Sequence, residues 1–215
     1  HSNTSAGLFN KIYQAIRNYT ISKKFSLVSN YVSRGTLLDI GCGTGEFLNY
    51  FSQRGWDVCG VEPGASARNL AIKNYNLKVV GEEQITSMKD MSYDVITMWH
   101  VLEHVPNLEE YILEFKRILK TTGTLIIAVP NFNSFDANYY GKHWAAYDVP
   151  RHLWHFSKFS IKKIFNAPPP VTSSLPGLLS LSTFFICKAI CSAYVLNPSS
   201  IEIPAALTAT SSEVS

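Results

Sequence analysis

The stretch Leu37-Leu38-Asp39-Ile40-Gly41-Cys42-Gly43-Thr44-Gly45 constrains this chain more than any other. A short run of consecutive apolar residues suits a strand buried on both faces. Here it begins at Thr36 and stops at Ile40, where glycines occupy every second position. Glycine lets the backbone turn sharply and lets a ligand approach with no Cβ in the way. Residues 46–53 then read as helix. A glycine turn between a buried strand and a helix is the context that gives such a motif meaning.

The same alternation continues downstream. Val58–Val61, Leu77–Val80, Tyr93–Met98 and Thr124–Val129 read as strands. Ser66–Asn74 and Leu108–Leu119 read as helices, the second with Leu108, Tyr111, Ile112, Phe115 and Ile118 on one face and Gly123 as its stop. Strands and helices at this spacing predict βαβ units and a parallel sheet covered on both sides. A ligand is then expected at the carboxyl ends of the strands. Upstream, residues 7–33 carry apolar positions at helical spacing and predict one or two amphipathic helices. Residues 130–156 predict a long aromatic-rich loop, and Ser157 caps a short helix through Phe165.

The charges around the glycine turn discriminate between ligands. A dinucleotide site uses G-x-G-x-x-G, with pyrophosphate at the helix N-terminus. The sixth position here is Glu46, and Asp39 adds a second carboxylate. That rim repels pyrophosphate and suits S-adenosylmethionine, which carries a sulfonium and an ammonium. Glu62 ends the second strand, 21 residues after Gly41, where an acid can accept both ribose hydroxyls. Glu62 supports a nucleoside without choosing between the two ligand classes.

These residues resemble the class I S-adenosylmethionine-dependent methyltransferase family. Leu37–Gly45 with Phe47-Leu48 is similar to that family's first motif, and Val61-Glu62-Pro63 to its second. Tyr93–Ile96 with Val101–Val105 resembles the fourth strand and the turn after it. Leu119-Lys120-Thr121-Thr122-Gly123 stands where the family has L-K-P-G-G. Asp148–Ser157 resembles a signature of a bacterial subgroup related to ubiquinone-pathway and polysaccharide-cluster methyltransferases. The resemblance covers about residues 30–166.

It implies an α/β fold, a Rossmann-like three-layer αβα sandwich with a mainly parallel sheet, N-terminal helices and a long lid loop. It also implies that Asp39, Gly41, Cys42, Gly43, Glu62, Pro63, Trp99 and His100 line the cofactor site, with Gly81–Gln84 near the adenine. The family's sheet ends in an antiparallel hairpin for which this sequence offers no counterpart. The expected division is a helical lid (1–33), a cofactor-binding domain (34–166) and an atypical tail (167–215). The expected activity is methyl transfer from S-adenosylmethionine to a small-molecule acceptor, at O, N or C. Two alternatives stand beside it: an NAD(P)-dependent oxidoreductase on the same fold, and a non-catalytic cofactor-binding protein.

If the acceptor is a hydroxyl, a base must take its proton. His100 comes first for its place after the fourth strand, then His152; His155, Asp148 and Tyr147 are further candidates. Arg151 either holds an acidic acceptor or pairs with Asp148. His100-Val101-Leu102-Glu103-His104 departs from the zinc pattern H-E-x-x-H, so no metal is expected, and His104 reads as a packed or capping residue.

Composition closes off other classes. The net charge of +3 is scattered, which argues against a nucleic-acid partner. Cys42, Cys59, Cys187 and Cys191 form no disulfide framework and no leader opens the chain, so cytoplasm is the expected compartment. After Asn166 only Lys188, Glu202 and Glu213 carry charge, against 18 Lys/Arg and 14 Asp/Glu before it. The tail reads either as a genuine extension or as a stretch foreign to the domain. Its apolar run Leu178–Leu196 is a poor membrane helix, interrupted by serines, a lysine and two cysteines.

Overall fold

A computed structural model describes residues 3–165 and 191–196. The elements run α1 (Asn3–Ser29), β1 (Thr36–Ile40), α2 (Glu46–Ser52), β2 (Asp57–Val61), α3 (Ala65–Tyr75), β3 (Lys78–Val80), β4 (Tyr93–Trp99), α4 (Leu108–Ile118), β5 (Leu119–Pro130), α5 (Phe135–Tyr140), α6 (Lys158–Phe165) and β6 (Cys191–Leu196). The sheet order is β3-β2-β1-β4-β5-β6. The first five strands are parallel and β6 pairs antiparallel with β5. Strand order reverses beside β1, so the ends of β1 and β4 open onto the crevice where ligands bind in such sheets.

Adjacent residues of the central strands enter opposite layers, as the two-residue period requires. Leu37, Val95 and Ile126 pack with Leu27 and Val28 of α1 and Phe47, Leu48 and Phe51 of α2. Leu38, Ile96 and Ile127 pack with Phe115 and Ile118 of α4 and Ile161 and Phe165 of α6. The β5 positions Leu125–Val129 are buried throughout, which explains why the sequence shows an unbroken apolar run there.

Four expectations need correction. The N-terminal periodicity belongs to a single helix that stops at Ser29, not to helices reaching residue 33. The α4 pattern ends at Ile118; Gly123 does not stop it but lies within β5. The pairing steps from Tyr93↔Leu119 to Val95↔Thr124, so Lys120–Gly123 form an irregular entry to the strand. Residues 130–156 are not one loop, since α5 and two short 3-10 turns, Gly141–His143 and Ala145–Tyr147, lie within them. Ser134 caps α5 by accepting from Ala137 N at 3.1 Å.

The fourth correction concerns the far edge of the sheet. The sequence offers no strand after α6, yet β6 pairs with β5 from Leu125↔Leu196 to Pro130↔Cys191. One antiparallel strand therefore covers the β5 edge. The Pro168-Pro169-Pro170 run, Cys187 and most of the Leu178–Leu196 stretch lie outside the described residues. Among the described residues no helix is long and apolar enough to cross a membrane.

Candidate functional site

The glycine turn is held by the strand beside it. Gly41 N and Cys42 N donate to Val61 O at 2.7 and 3.1 Å. Gly41, Gly43 and Gly45 have φ of 74°, 56° and 86°, the left-handed region that a side chain strains. Their surroundings differ. A Cβ on Gly41 would collide with the Val101 side chain, whereas one on Gly43 would meet no atom within 4 Å. Space beside Gly43 is thus open where backbone comes to the surface. Cys42 is buried, and its Sγ lies 3.9 Å from Gly43 O. Burial pushes its thiol well above the ordinary range, so it serves packing and not nucleophilic chemistry.

Glu62 binds the turn to the end of β2. Its Oε2 accepts from Gly43 N at 2.8 Å and its Oε1 from Gly64 N at 2.9 Å. Pro63 follows, exposed, ahead of α3. Arg68 of α3 donates to Glu62 O and fixes the strand end. Beyond β3, Gln84 N donates to Gly81 O at 3.2 Å and opens a 3-10 turn, Glu82–Ser87.

Asp39 faces Thr97 across the β1–β4 pairing and is 2% exposed. Burial drives its carboxyl up to about 7; the Thr97 hydrogen bond and the Lys24 ammonium oppose that rise, and the Glu62 charge adds to it. Glu46 is neutralised by α1: Arg17 pairs with it at 2.5 Å, and Thr44 Oγ1 donates to it at 2.7 Å. This weakens the contribution of Glu46 to an acidic rim and leaves Asp39 and Glu62 to supply it.

Trp99 is the last residue of β4 and not a residue past it. Phe47 meets its ring edge-on at 5.8 Å, and Lys24 Nζ lies 4.3 Å from its centroid. Its indole N–H is buried with no hydrogen-bond partner. His100 follows with φ 61°, a strained conformation for a residue with a Cβ. Strain of this kind concentrates where function fixes a side chain. Neither Lys24 nor the Asp39–Thr97 pair is marked by any motif; both emerge only from α1 folding back and from strand register.

Past His100, a 3-10 turn (Leu102–His104) carries Glu103 into the interior, 1% exposed. His100 Nδ1 lies 3.5 Å from Glu103 Oε1. The segment after α5 returns here: Leu153 N and Trp154 N donate to Glu103 O at 2.8 and 3.3 Å, and Trp154 Nε1 to Val105 O at 2.7 Å. His152 thereby meets His104, with ring centroids 4.7 Å apart. His104 is exposed and neither packed in the core nor a cap. Arg151 takes the second of its expected roles, pairing with Asp148 at 2.8 Å. His155 bonds Tyr147 O at 3.0 Å on the exposed side of the segment, while Asp148 Oδ2 lies 3.9 Å from His152 Nε2. A cavity of about 420 Å³ lies elsewhere, over β2, β3 and the start of β4; Gln84 borders it, but none of these histidines and acids does.

A sequence profile described as a methyltransferase domain matches residues 13–167. The chain is 31% identical over 153 residues to a Ubiquinone biosynthesis O-methyltransferase of Rickettsia typhi, covering 67% of this chain and 61% of that one. It is 28% identical over 139 residues to the protein of the same description from Bradyrhizobium, covering 60% and 54%. The chain spans about half the length of the curated relatives it matches. A SAM-dependent methyltransferase from Archaeoglobus fulgidus shares the fold at TM-score 0.61 and 17% identity, over 89% of this chain and 99% of that one. One from Methanosarcina mazei does so at 0.61 and 19%, over 80% and 96%.

Proposed function

The chain belongs to the methyltransferase-domain family, and from that premise we propose that it moves a methyl group from S-adenosylmethionine to an oxygen of a small-molecule acceptor. The observation that carries this reading is the Glu62 carboxylate held by Gly43 N and Gly64 N beside open space at Gly43. Two amides fix the carboxylate, and its remaining lone pairs are left to accept ribose hydroxyls. The buried, unpartnered N–H of Trp99 is a further donor available to a ligand. An unmade buried hydrogen bond costs about 1–3 kcal/mol, which a ligand acceptor would recover.

When bound, S-adenosylmethionine would supply a methyl carbon already activated by its sulfonium, to be displaced by the acceptor oxygen with sulfur keeping the electron pair of the C–S bond. The protein's task is positioning and charge. Asp39 and Glu62 offer the negative charge that a sulfonium and an ammonium favour. Pro63 and Cys42 shape the turn. His100 stands at the end of β4 to take the acceptor's proton, with His152 second. α1 (within 1–33) and the aromatic segment 130–156 act as covers over the cofactor end of the domain expected at 34–166; of the tail expected at 167–215, residues 191–196 join the domain's sheet as β6. The segment's rings suit an acceptor with a partly apolar face. The relatives' description as O-methyltransferases favours oxygen. The oxidoreductase alternative has no support from the family match. We place the reaction in the cytoplasm, where the free thiols of Cys42 and Cys59 would persist.

Thermal unfolding with S-adenosylmethionine, S-adenosylhomocysteine, NAD or NADP tests the reading. A ligand at 100 times its dissociation constant stabilises by about 2.7 kcal/mol, a rise of roughly 5–10 °C. A shift with the two adenosyl ligands alone, together with methyl transfer to a hydroxyl-bearing small molecule, is expected. A shift with NAD or NADP alone overturns the reading; cofactor binding without transfer to any acceptor turns it into the non-catalytic alternative.

A further inference from the structure

We propose that the cavity over β2, β3 and the start of β4 is a second ligand site, shaped for a small organic anion with a ring body. Its origin lies in the chain path. A crossover between parallel strands ordinarily carries a helix that covers one face of the sheet. From β3 to β4 the chain carries only the 3-10 turn Glu82–Ser87. Cys59, Val80, Met88 and Tyr93 belong to the layer on the α4 side, and a volume of about 420 Å³ is left beside them. Cavities that bind small molecules span about 300–1,000 Å³.

The site stands apart from the cofactor crevice. Thr36, Asp57, Lys78 and Tyr93 are the first residues of β1, β2, β3 and β4, and all four border the cavity. It therefore lies toward the amino ends of the parallel strands, whereas the glycine turn lies at their carboxyl ends. The five residues of β1 separate Thr36 from that turn, roughly 16 Å at the rise of a strand. The wall is fixed before any ligand arrives. Arg117 of α4 donates to Ile85 O, Thr86 O and Met88 O at 3.1, 3.2 and 2.6 Å, and Ser92 N donates to Ile118 O at 2.9 Å.

The lining selects charge. Lys78 is the register partner of Cys59, so its side chain leaves the same face of the sheet. Lys89 comes from the chain after the turn and borders the cavity as well. Neither ammonium has a salt bridge among the described residues. Asp57 is the one acid on the described wall, so cations outnumber acids there. The Tyr93 hydroxyl donates to Met88 Sδ at 3.7 Å, a weak acceptor that a ligand oxygen would displace. An anionic head between the two lysines and a ring against Val80, Met88 and Tyr93 meets both halves of the lining.

The turn also reaches toward the cofactor. Gly81–Gln84 is the stretch expected near the adenine, and Gln84 borders the cavity. An occupant that steadies the turn raises the affinity for S-adenosylhomocysteine, by about fivefold or more. This coupling rests on the methyl-transfer reading; the site itself does not.

The test titrates the full chain with naphthalene-1-sulfonate, read from backbone amide NMR spectra. Saturable shifts at Lys78, Ser87 and Ser92, with Gly43 and Gly64 unmoved, are expected, and they persist under saturating S-adenosylhomocysteine. Lys78→Gln combined with Lys89→Gln, both at exposed positions, should weaken the probe by about tenfold or more. Neutral naphthalene-1-sulfonamide should bind the parent chain more weakly by the same factor. No saturable shift overturns the proposal. So do shifts centred on Gly43 and Gly64, displacement by S-adenosylhomocysteine, and undiminished binding of the probe by the double variant or of the sulfonamide by the parent chain. Probe binding that leaves S-adenosylhomocysteine affinity unchanged keeps the site and removes the coupling. Probe binding by a chain with no affinity for S-adenosylhomocysteine keeps the site and removes the methyltransferase reading.

Discussion

The Thr97 hydroxyl donates to Asp39 Oδ1 at 2.6 Å, between two residues that are register partners in β4 and β1. Both side chains are buried, so this bond lies inside the sheet at the end nearest the glycine turn. It stabilises a carboxylate that the interior disfavours.

A pH dependence of stability follows. Burial raises the Asp39 carboxyl to about 7 from 3.8. Between these values the folded chain holds a proton that the unfolded chain releases, so stability falls as pH rises from 4 to 7 and is level above. Asp39→Asn removes that slope. At pH 8 it should stabilise the ligand-free protein by roughly 1–3 kcal/mol and weaken S-adenosylmethionine binding. Melting curves across pH check the first effect and calorimetry the second; an unchanged slope in the variant would sink the assignment.

The glycines of the turn should separate stability from binding. Gly41→Ala drives a methyl into Val101, and the unfolding temperature should drop by several degrees. Gly43→Ala meets only the left-handed strain, about 1–2 kcal/mol, because nothing lies within 4 Å of the added carbon. Yet that methyl enters the space assigned to the ligand, so S-adenosylhomocysteine binding should be lost from a protein that still folds.

Glu62→Gln keeps the shape of the side chain but turns one of its two oxygens into a donor facing an amide N–H. Binding of S-adenosylhomocysteine should weaken by roughly 10–100-fold, in line with about 1.5–3 kcal/mol for a hydrogen bond to a charged group. Competition assays read this directly. Wild-type affinity in the variant would remove Glu62 from the site.

His100 offers opposite signs in one substitution. His100→Gly relieves the penalty of φ 61°, so the melting temperature should hold or rise slightly. If His100 takes the acceptor's proton, turnover should fall by roughly 10²–10⁴. A variant that loses stability while keeping its rate would show the imidazole to be structural.

The five parallel strands were legible because their core runs are short, apolar and bounded by glycine or charge, as Leu37–Ile40 and Leu125–Val129 are. The start of β5 was not, since Lys120-Thr121-Thr122-Gly123 has the composition of a turn and is drawn into the sheet by pairing with β4. β6 escaped because no periodicity or turn signal introduces it; its strand character comes from the open β5 edge. The cofactor loop was legible from local sequence. The Glu103–His104–His152 cluster was not, because two adjacent residues of a 3-10 turn converge with one that arrives from beyond α5. A template built on helical spacing cannot find such a meeting.

The pairing of Pro130 with Cys191 has a meaning for synthesis. A ribosome adds about 5–20 residues per second, so the partner of the β5 edge is made roughly 3–12 s after the edge itself. During that interval a strand whose Leu125–Val129 are destined for the interior offers its main-chain groups to any nascent chain nearby. Production of this protein should therefore be sensitive to how crowded its own polysomes are, and slower initiation should raise its soluble yield.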